Sequence, residues 1–182
     1  MSPSIQKKTV MNAEQVASAL NRIAQETLAA HSNVENLALV GIRTGGAYLA
    51  RRLQKLLSKK SGREIPTGII DITLYRDDWT LIAAKPIVGK TELDFSIDDK
   101  EIILVDDVLF TGRTVRAAMD ALIDFGRPAK IELAVLADRG QRELPICPNY
   151  TGLTLQIGHQ ERVNVYLSEL GHEDEVAVEV LA

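Results

Sequence analysis

Ile102-Ile103-Leu104-Val105-Asp106-Asp107-Val108-Leu109-Phe110-Thr111-Gly112-Arg113-Thr114 is the stretch from which the rest of the chain can be read. Its apolar opening predicts a strand buried on both faces, and Val115, Met119, Leu122 and Ile123 follow at helical spacing. The strand therefore delivers two adjacent carboxylates to its C-terminal end, where ligands of open α/β sheets bind. Residues 111–114 then open a helix, whose first N–H groups lack intrahelical partners and carry partial positive charge. Gly112 permits close backbone approach, and Thr111 and Thr114 add hydroxyl donors, a set suited to a phosphate. Asp106 and Asp107 can accept hydrogen bonds from vicinal sugar hydroxyls and order a hydrated magnesium ion. Phosphate at one end and hydroxyls at the other describe a pocket for a ribose 5-phosphate.

Upstream, Val16, Leu20, Ile23 and Leu28 predict an amphipathic helix over residues 12–31, with Asn12 as N-cap. Residues 36–42 read as a buried strand leading through Arg43-Thr44-Gly45-Gly46 into a second helix marked by Leu49, Leu53, Leu56 and Leu57. The β-branched run within residues 65–75 predicts a further strand. The polar interval over residues 76–100 is too long for a simple connection and reads as a lid loop, or as a segment with its own hairpin near residues 86–90. Downstream, residues 131–137 read as a strand, 162–167 and 175–181 as appended strands, and Pro145, Pro148, Gly152 and Gly158 as turns. Strands alternating with helices predict an α/β domain with a mostly parallel central sheet flanked by helices, spanning residues 1–182 as one unit.

Composition narrows the function. The 182 residues, 46% of them hydrophobic, can bury a core without staples. A formal net charge of -4 excludes a generic nucleic-acid coat, so any nucleic-acid site must be a local patch. The single Cys147 forms no intrachain disulfide, no segment has the apolar length to span a bilayer, and the N-terminus lacks a signal-peptide run, so a soluble cytoplasmic protein is expected. His31, His159 and His172 are scattered and read as surface or structural residues, and no metal ligand is directly assigned.

With these residues in view, the chain resembles the type I phosphoribosyltransferases, whose phosphoribosyl-pyrophosphate (PRPP) motif is an apolar strand, two acidic residues, a short apolar interval and Thr-Gly-x-Thr. More narrowly, Asp71-Ile72-Thr73-Leu74-Tyr75-Arg76-Asp77-Asp78, Val108-Leu109-Phe110-Thr111-Gly112-Arg113-Thr114 and Ala137-Asp138-Arg139-Gly140-Gln141-Arg142-Glu143-Leu144-Pro145 look together like the bifunctional pyrimidine operon attenuation regulators that are also uracil phosphoribosyltransferases. The resemblance implies the type I fold, with a small hood and a flexible lid loop. It also implies a pentosyl transfer, uracil plus PRPP giving uridine monophosphate (UMP) and pyrophosphate, with Mg2+ bound mainly through the PRPP substrate.

Carried over residue by residue, the likeness makes Asp106, Asp107 and Arg76 the catalytic candidates. Asp106, Asp107, Thr111, Gly112, Arg113 and Thr114 become the PRPP and UMP cradle, and Arg43, Thr44 and Gly45 the pyrophosphate loop. Lys85 is a further cation near pyrophosphate, and Asp138 and Arg139 are the uracil candidates. Relatives often carry Thr-Arg-Gly in the pyrophosphate loop, and Gly45 departs from that pattern. Purine-specific relatives usually place an aspartate at the position of Phe110, so Phe110 favours a pyrimidine. The resemblance further implies UMP-dependent binding to pyr operon mRNA, for which Arg22 and Arg142 are the candidates, with Arg127 and Lys130 able to join them, and a homo-oligomer. Two other readings stay open: an RNA-binding regulator whose nucleotide site only senses, and a purine phosphoribosyltransferase.

Overall fold

The computed structural model describes residues 5–77, 89–158 and 160–181. Five strands form a wholly parallel sheet in the order β3-β2-β4-β5-β6. They are β2 (Leu37–Ile42), β3 (Thr67–Ile70), β4 (Glu101–Leu109), β5 (Lys130–Asp138) and β6 (Tyr150–Thr154). The central strands are continuous apolar runs because helices cover both faces. Helices α1 (Ala13–Ala30) and α2 (Gly45–Ser61) pack one face through Val16, Leu20, Ile23, Leu49 and Leu53. Helix α3 (Arg113–Ile123) packs the other through Val115, Ala118 and Leu122.

Local signals account for the helix ends. The Asn12 side chain accepts the Gln15 N–H and the Gln15 side chain accepts the Asn12 N–H, each at 2.9 Å, a reciprocal capping box that starts α1. Gly62, at φ +70°, closes α2 in the left-handed conformation that suits glycine.

A second, antiparallel sheet of order β1-β8-β7 forms the hood, from β1 (Ile5–Met11), β7 (Glu161–Tyr166) and β8 (Glu175–Leu181). Arg52 on α2 fastens it to the main domain. Its guanidinium donates to Glu169 at 2.8 Å, to Asp174 at 2.9 Å and to the Ser168 hydroxyl at 3.0 Å.

The structure departs from sequence expectation in three places. Strand β3 stops at Ile70, although β-branched residues continue, because the Asp71 carboxylate accepts the Thr73 N–H at 3.0 Å and turns the chain. Strand β6 contains Gly152 and follows Pro145 and Pro148, all of which signalled turns, and β1 carries Lys7-Lys8 in place of a clear apolar alternation. His31 is structural, as expected. It is buried at the foot of the sheet, where its Nδ1 meets Glu101 and its Nε2 meets Glu132 at 2.7 Å, while the Tyr150 hydroxyl donates to Glu132 at 2.8 Å. His172 is exposed, edge-on to the Tyr166 ring. His159, Lys85 and most of the hairpin expected at residues 86–90 lie outside the described residues.

Candidate active site

The C-terminal ends of β2, β3, β4 and β5 lie together at one end of the sheet. At the end of β4 the chain turns through Gly112, whose φ of +92° is the left-handed region. No side chain of the Gly112 N-cap position caps α3; the Arg113 N–H donates to the Thr111 hydroxyl at 3.4 Å, and the N–H groups that follow are available to an anion. The Thr111 carbonyl accepts the N–H groups of Glu143 and Leu144 at 3.0 and 3.1 Å, which joins this turn to the loop after β5. The exposed Arg113 guanidinium donates to Asp77 and to Glu143, both at 2.6 Å, and adds a bridge to the chain beyond β3.

Asp106 and Asp107 sit just before that turn and differ in environment. Asp106 is 6% exposed and its carboxylate accepts the Asp107 N–H at 2.9 Å. Burial, followed by the charge of Asp107, pushes its carboxyl well above the usual range. Asp107 is more open and accepts the Val108 N–H at 2.7 Å. Among the described residues no group of three His, Cys, Asp or Glu could hold a metal ion. Two adjacent carboxylates are too few for an all-protein cage, but they fit a magnesium ion that takes its other oxygens from water and a phosphorylated substrate.

Sequence reasoning missed the closeness of the loop after β2 to these carboxylates. A Cβ built on Gly45 would lie 2.2 Å from the Asp107 Oδ2, and one on Gly46 would lie 2.2 Å from the Val105 carbonyl oxygen. The first turn of α2 is thus pressed against the end of β4, and any side chain at position 45 must displace Asp107. Arg43 lies at the same junction, and its peptide bond to Thr44 is cis. Its guanidinium donates to the Lys90 carbonyl at 2.8 Å, with Glu92 at 3.6 Å and Asp71 at 3.9 Å. Asp71 also accepts the Gly89 N–H at 3.2 Å, so one carboxylate holds both ends of the long connection against the loop after β2. Arg76 is half-buried on that connection.

Arg139, at the end of β5, is 8% exposed, and its guanidinium lies 3.7 Å over the Phe110 ring. Its Nε has no hydrogen-bond partner, and burial, with the nearby charge of Arg162, lowers its pKa. Asp138 accepts from Arg142 at 2.7 Å and from the Gly140 N–H at 2.9 Å, so its carboxylate organises the loop. Arg142 also donates to the carbonyls of Phe110 at 3.0 Å and Ile146 at 2.9 Å. Arg22 lies on α1, where it donates to the Gly152 carbonyl at 2.6 Å and to Glu26 at 3.1 Å. No contact joins Arg22 to Arg142 among the described residues. Arg127 and Lys130 line a groove at the foot of β5, the opposite end from Arg142.

The fold and this arrangement of loops define a class. Residues 7–167 match the family model described as phosphoribosyl transferase domain, and the chain belongs to that family. Among curated relatives it is similar to the bifunctional protein PyrR of Desulfosudis oleivorans, 54% identical over 176 residues, covering 96% of this chain and 97% of that one. The bifunctional protein PyrR of Syntrophobacter fumaroxidans is 51% identical over 175 residues, covering 96% and 94%. The likeness to the bifunctional attenuation regulators, drawn from three short blocks, thus holds along nearly the whole chain. A hypoxanthine phosphoribosyltransferase from Staphylococcus aureus superimposes with a TM-score of 0.70 at 19% identity, covering 96% of this chain and 92% of that one, and establishes the shared fold. No described helix is long and apolar enough to cross a membrane.

Proposed function

We propose that the chain transfers the ribose 5-phosphate of PRPP to uracil, giving UMP and pyrophosphate, and that it uses the same pocket to sense UMP while binding pyr operon mRNA. The observation that carries the catalytic reading is the junction of the α3 N-terminus, Asp106 and Asp107, and the Arg43-Thr44-Gly45 loop. The 5-phosphate is assigned to the first N–H groups of α3 with the Thr111 and Thr114 hydroxyls, and the ribose hydroxyls to Asp106 and Asp107. As the bond from the ribose carbon to pyrophosphate breaks, positive charge grows on the carbon and negative charge on the leaving oxygens. The carboxylates oppose the first charge, and Arg43 and Arg76 are assigned to the second. Uracil forms the new bond through its ring nitrogen and releases that nitrogen's proton. A bound magnesium ion supplies further charge neutralisation on the substrate oxygens.

Phe110 and Arg139 together form a flat, half-buried wall at the end of β4 and β5, and we assign the base to this side of the pocket. An aromatic ring at position 110 offers no group that could exchange a proton with a purine nitrogen, which supports a pyrimidine. Curated relatives carrying the name bifunctional support the regulatory role.

Incubation of the purified protein with PRPP, magnesium and, in parallel, uracil, hypoxanthine or guanine tests the reading through chromatography of the mononucleotide. UMP alone is the expected product. A purine nucleotide would overturn the assignment of the base, and absence of any product would overturn catalysis.

A further inference from the structure

Arg76, assigned to the leaving pyrophosphate, sits between two residues that helix α3 holds. Arg116 donates from its guanidinium to the Tyr75 carbonyl at 3.0 Å, and Arg113 donates to the Asp77 carboxylate at 2.6 Å. The two arginines are three positions apart and so share one face of the helix. Both belong to its first turn, where the Arg116 N–H donates to the Gly112 carbonyl at 2.9 Å. That is the turn assigned to the 5-phosphate. At the other end of α3 the Tyr75 hydroxyl donates to Asp124 at 2.5 Å, and the Tyr75 ring packs against the core on that face of the sheet.

Arg116 makes its contact at a local cost. Its Nε is buried and, among the described residues, has no hydrogen-bond partner. A buried donor left unpaired loses its hydration without return, so native proteins keep few of them. Stability offers no compensation: the other charged contact of Arg116, to Asp120 one turn along, is 3.5 Å long between half-exposed side chains, a surface pair of the kind that contributes little. What the side chain secures is the peptide group that leads into Arg76. That group is planar, so holding the Tyr75 oxygen also orients the Arg76 Cα.

We infer that Arg116 is a positioning residue for the transfer: by fixing the peptide plane between Tyr75 and Arg76 it sets the separation of the Arg76 guanidinium from the 5-phosphate cradle. The inference rests on the assignment of Arg76 in the proposed function. A cation aimed at a leaving group is effective when its place is set before the bond breaks, and a misplacement near 1 Å lowers the rate by about 100-fold. Arg113 helps to hold the same segment, but it also bonds Glu143 in the loop after β5. The described contacts of the Arg116 side chain include neither that loop nor the two carboxylates, which makes it the residue to vary.

The test is a double-mutant cycle on the initial rate of UMP formation, with wild type, R116M, R76M and R116M/R76M. Methionine keeps the aliphatic stem and is a good helix former. R116M should lower kcat by about 10- to 100-fold in the wild-type background and leave the R76M rate unchanged, because a strut acts only through the residue it holds. Its melting temperature and its affinity for UMP, a ligand without pyrophosphate, should match wild type. R116K, which retains a donor for the carbonyl, should recover part of the rate. A wild-type kcat in R116M would overturn the inference and leave the role of Arg76 standing. An equal loss in both backgrounds, or weakened UMP binding, would place the effect in the phosphate cradle and overturn it as well. A wild-type kcat in R76M would overturn the assignment of Arg76 itself, and the inference with it.

Discussion

Gly46→Ala tests whether the site depends on the seating of α2 against β4. The new Cβ would stand 2.2 Å from the Val105 carbonyl oxygen and 3.0 Å from the Asp106 Cα, both backbone atoms that cannot rotate away. Relief to a tolerable separation of about 3 Å requires the first turn of α2 to move by just under 1 Å. Overpacking of this kind costs about 1–3 kcal/mol, and the better helix propensity of alanine returns up to about 1 kcal/mol, leaving a net loss centred on about 1–2 kcal/mol. For a domain of this size that lowers the melting temperature by about 2–8 °C. The shift carries the Arg43-Thr44-Gly45 loop away from Asp106 and Asp107. A misplacement near 1 Å lowers kcat/KM by about 100-fold, or about 2.7 kcal/mol of transition-state stabilisation. Calorimetry and initial rates of UMP formation check both figures. Gly45→Ala is the control, because its overlap is with the Asp107 side chain, which can rotate, so it should lose rate with little loss of stability. A Gly46→Ala protein that melts at or above the wild-type temperature and turns over normally would refute the reasoning.

Three further outcomes are expected. The raised Asp106 carboxyl means that, above the ordinary value near 4, the folded chain keeps a proton the unfolded chain has released, so this group makes stability fall as pH rises through that window. Asp106→Asn should remove that slope, melt higher than wild type at neutral pH and lose turnover, as melting curves at pH 5 and 7.5 with a rate assay will show. Arg52→Ala should cost about 2 kcal/mol by freeing the hood. Because hydrogen bonds from Arg52 hold Glu169 and Asp174 below their usual values, the gap from wild type should be full above about pH 4 and close as the pH falls through the lowered values. His31→Ala removes a partner from Glu101 and from the buried Glu132 and should cost about 3 kcal/mol in denaturant unfolding, without changing KM for PRPP.

The phosphate cradle was legible because its logic is local. A buried strand, two acids and a Thr-Gly-x-Thr helix start follow one another in residues 102–114, and strand β4 and helix α3 place them as expected. Asn12 likewise announced α1. What could not be read depends on residues distant in sequence. The pressure of Gly45 and Gly46 on the end of β4 joins Gly45 to Asp107 and Gly46 to Val105, far apart in sequence, and a glycine pair signals a turn before it signals contact. Strand β3 ended early because one side chain, Asp71, outcompeted the β propensity of the residues after it. Strand β6 forms because β5 offers an edge for parallel pairing, which its own Gly152 and the preceding Pro145 and Pro148 do not reveal. Arg142 reads in the sequence as a cation for RNA, and its bonds to the carbonyls of Phe110, Gly140 and Ile146 depend on loop geometry that the sequence does not reveal.

The Asp71 carboxylate receives the chain as it departs, at Thr73, and again as it returns, at Gly89. Departure and return therefore share one anchoring point. Loss of that single carboxylate would free the backbone at Thr73 and at Gly89 together, so the two ends of the connection are coupled through one residue and cannot be loosened independently.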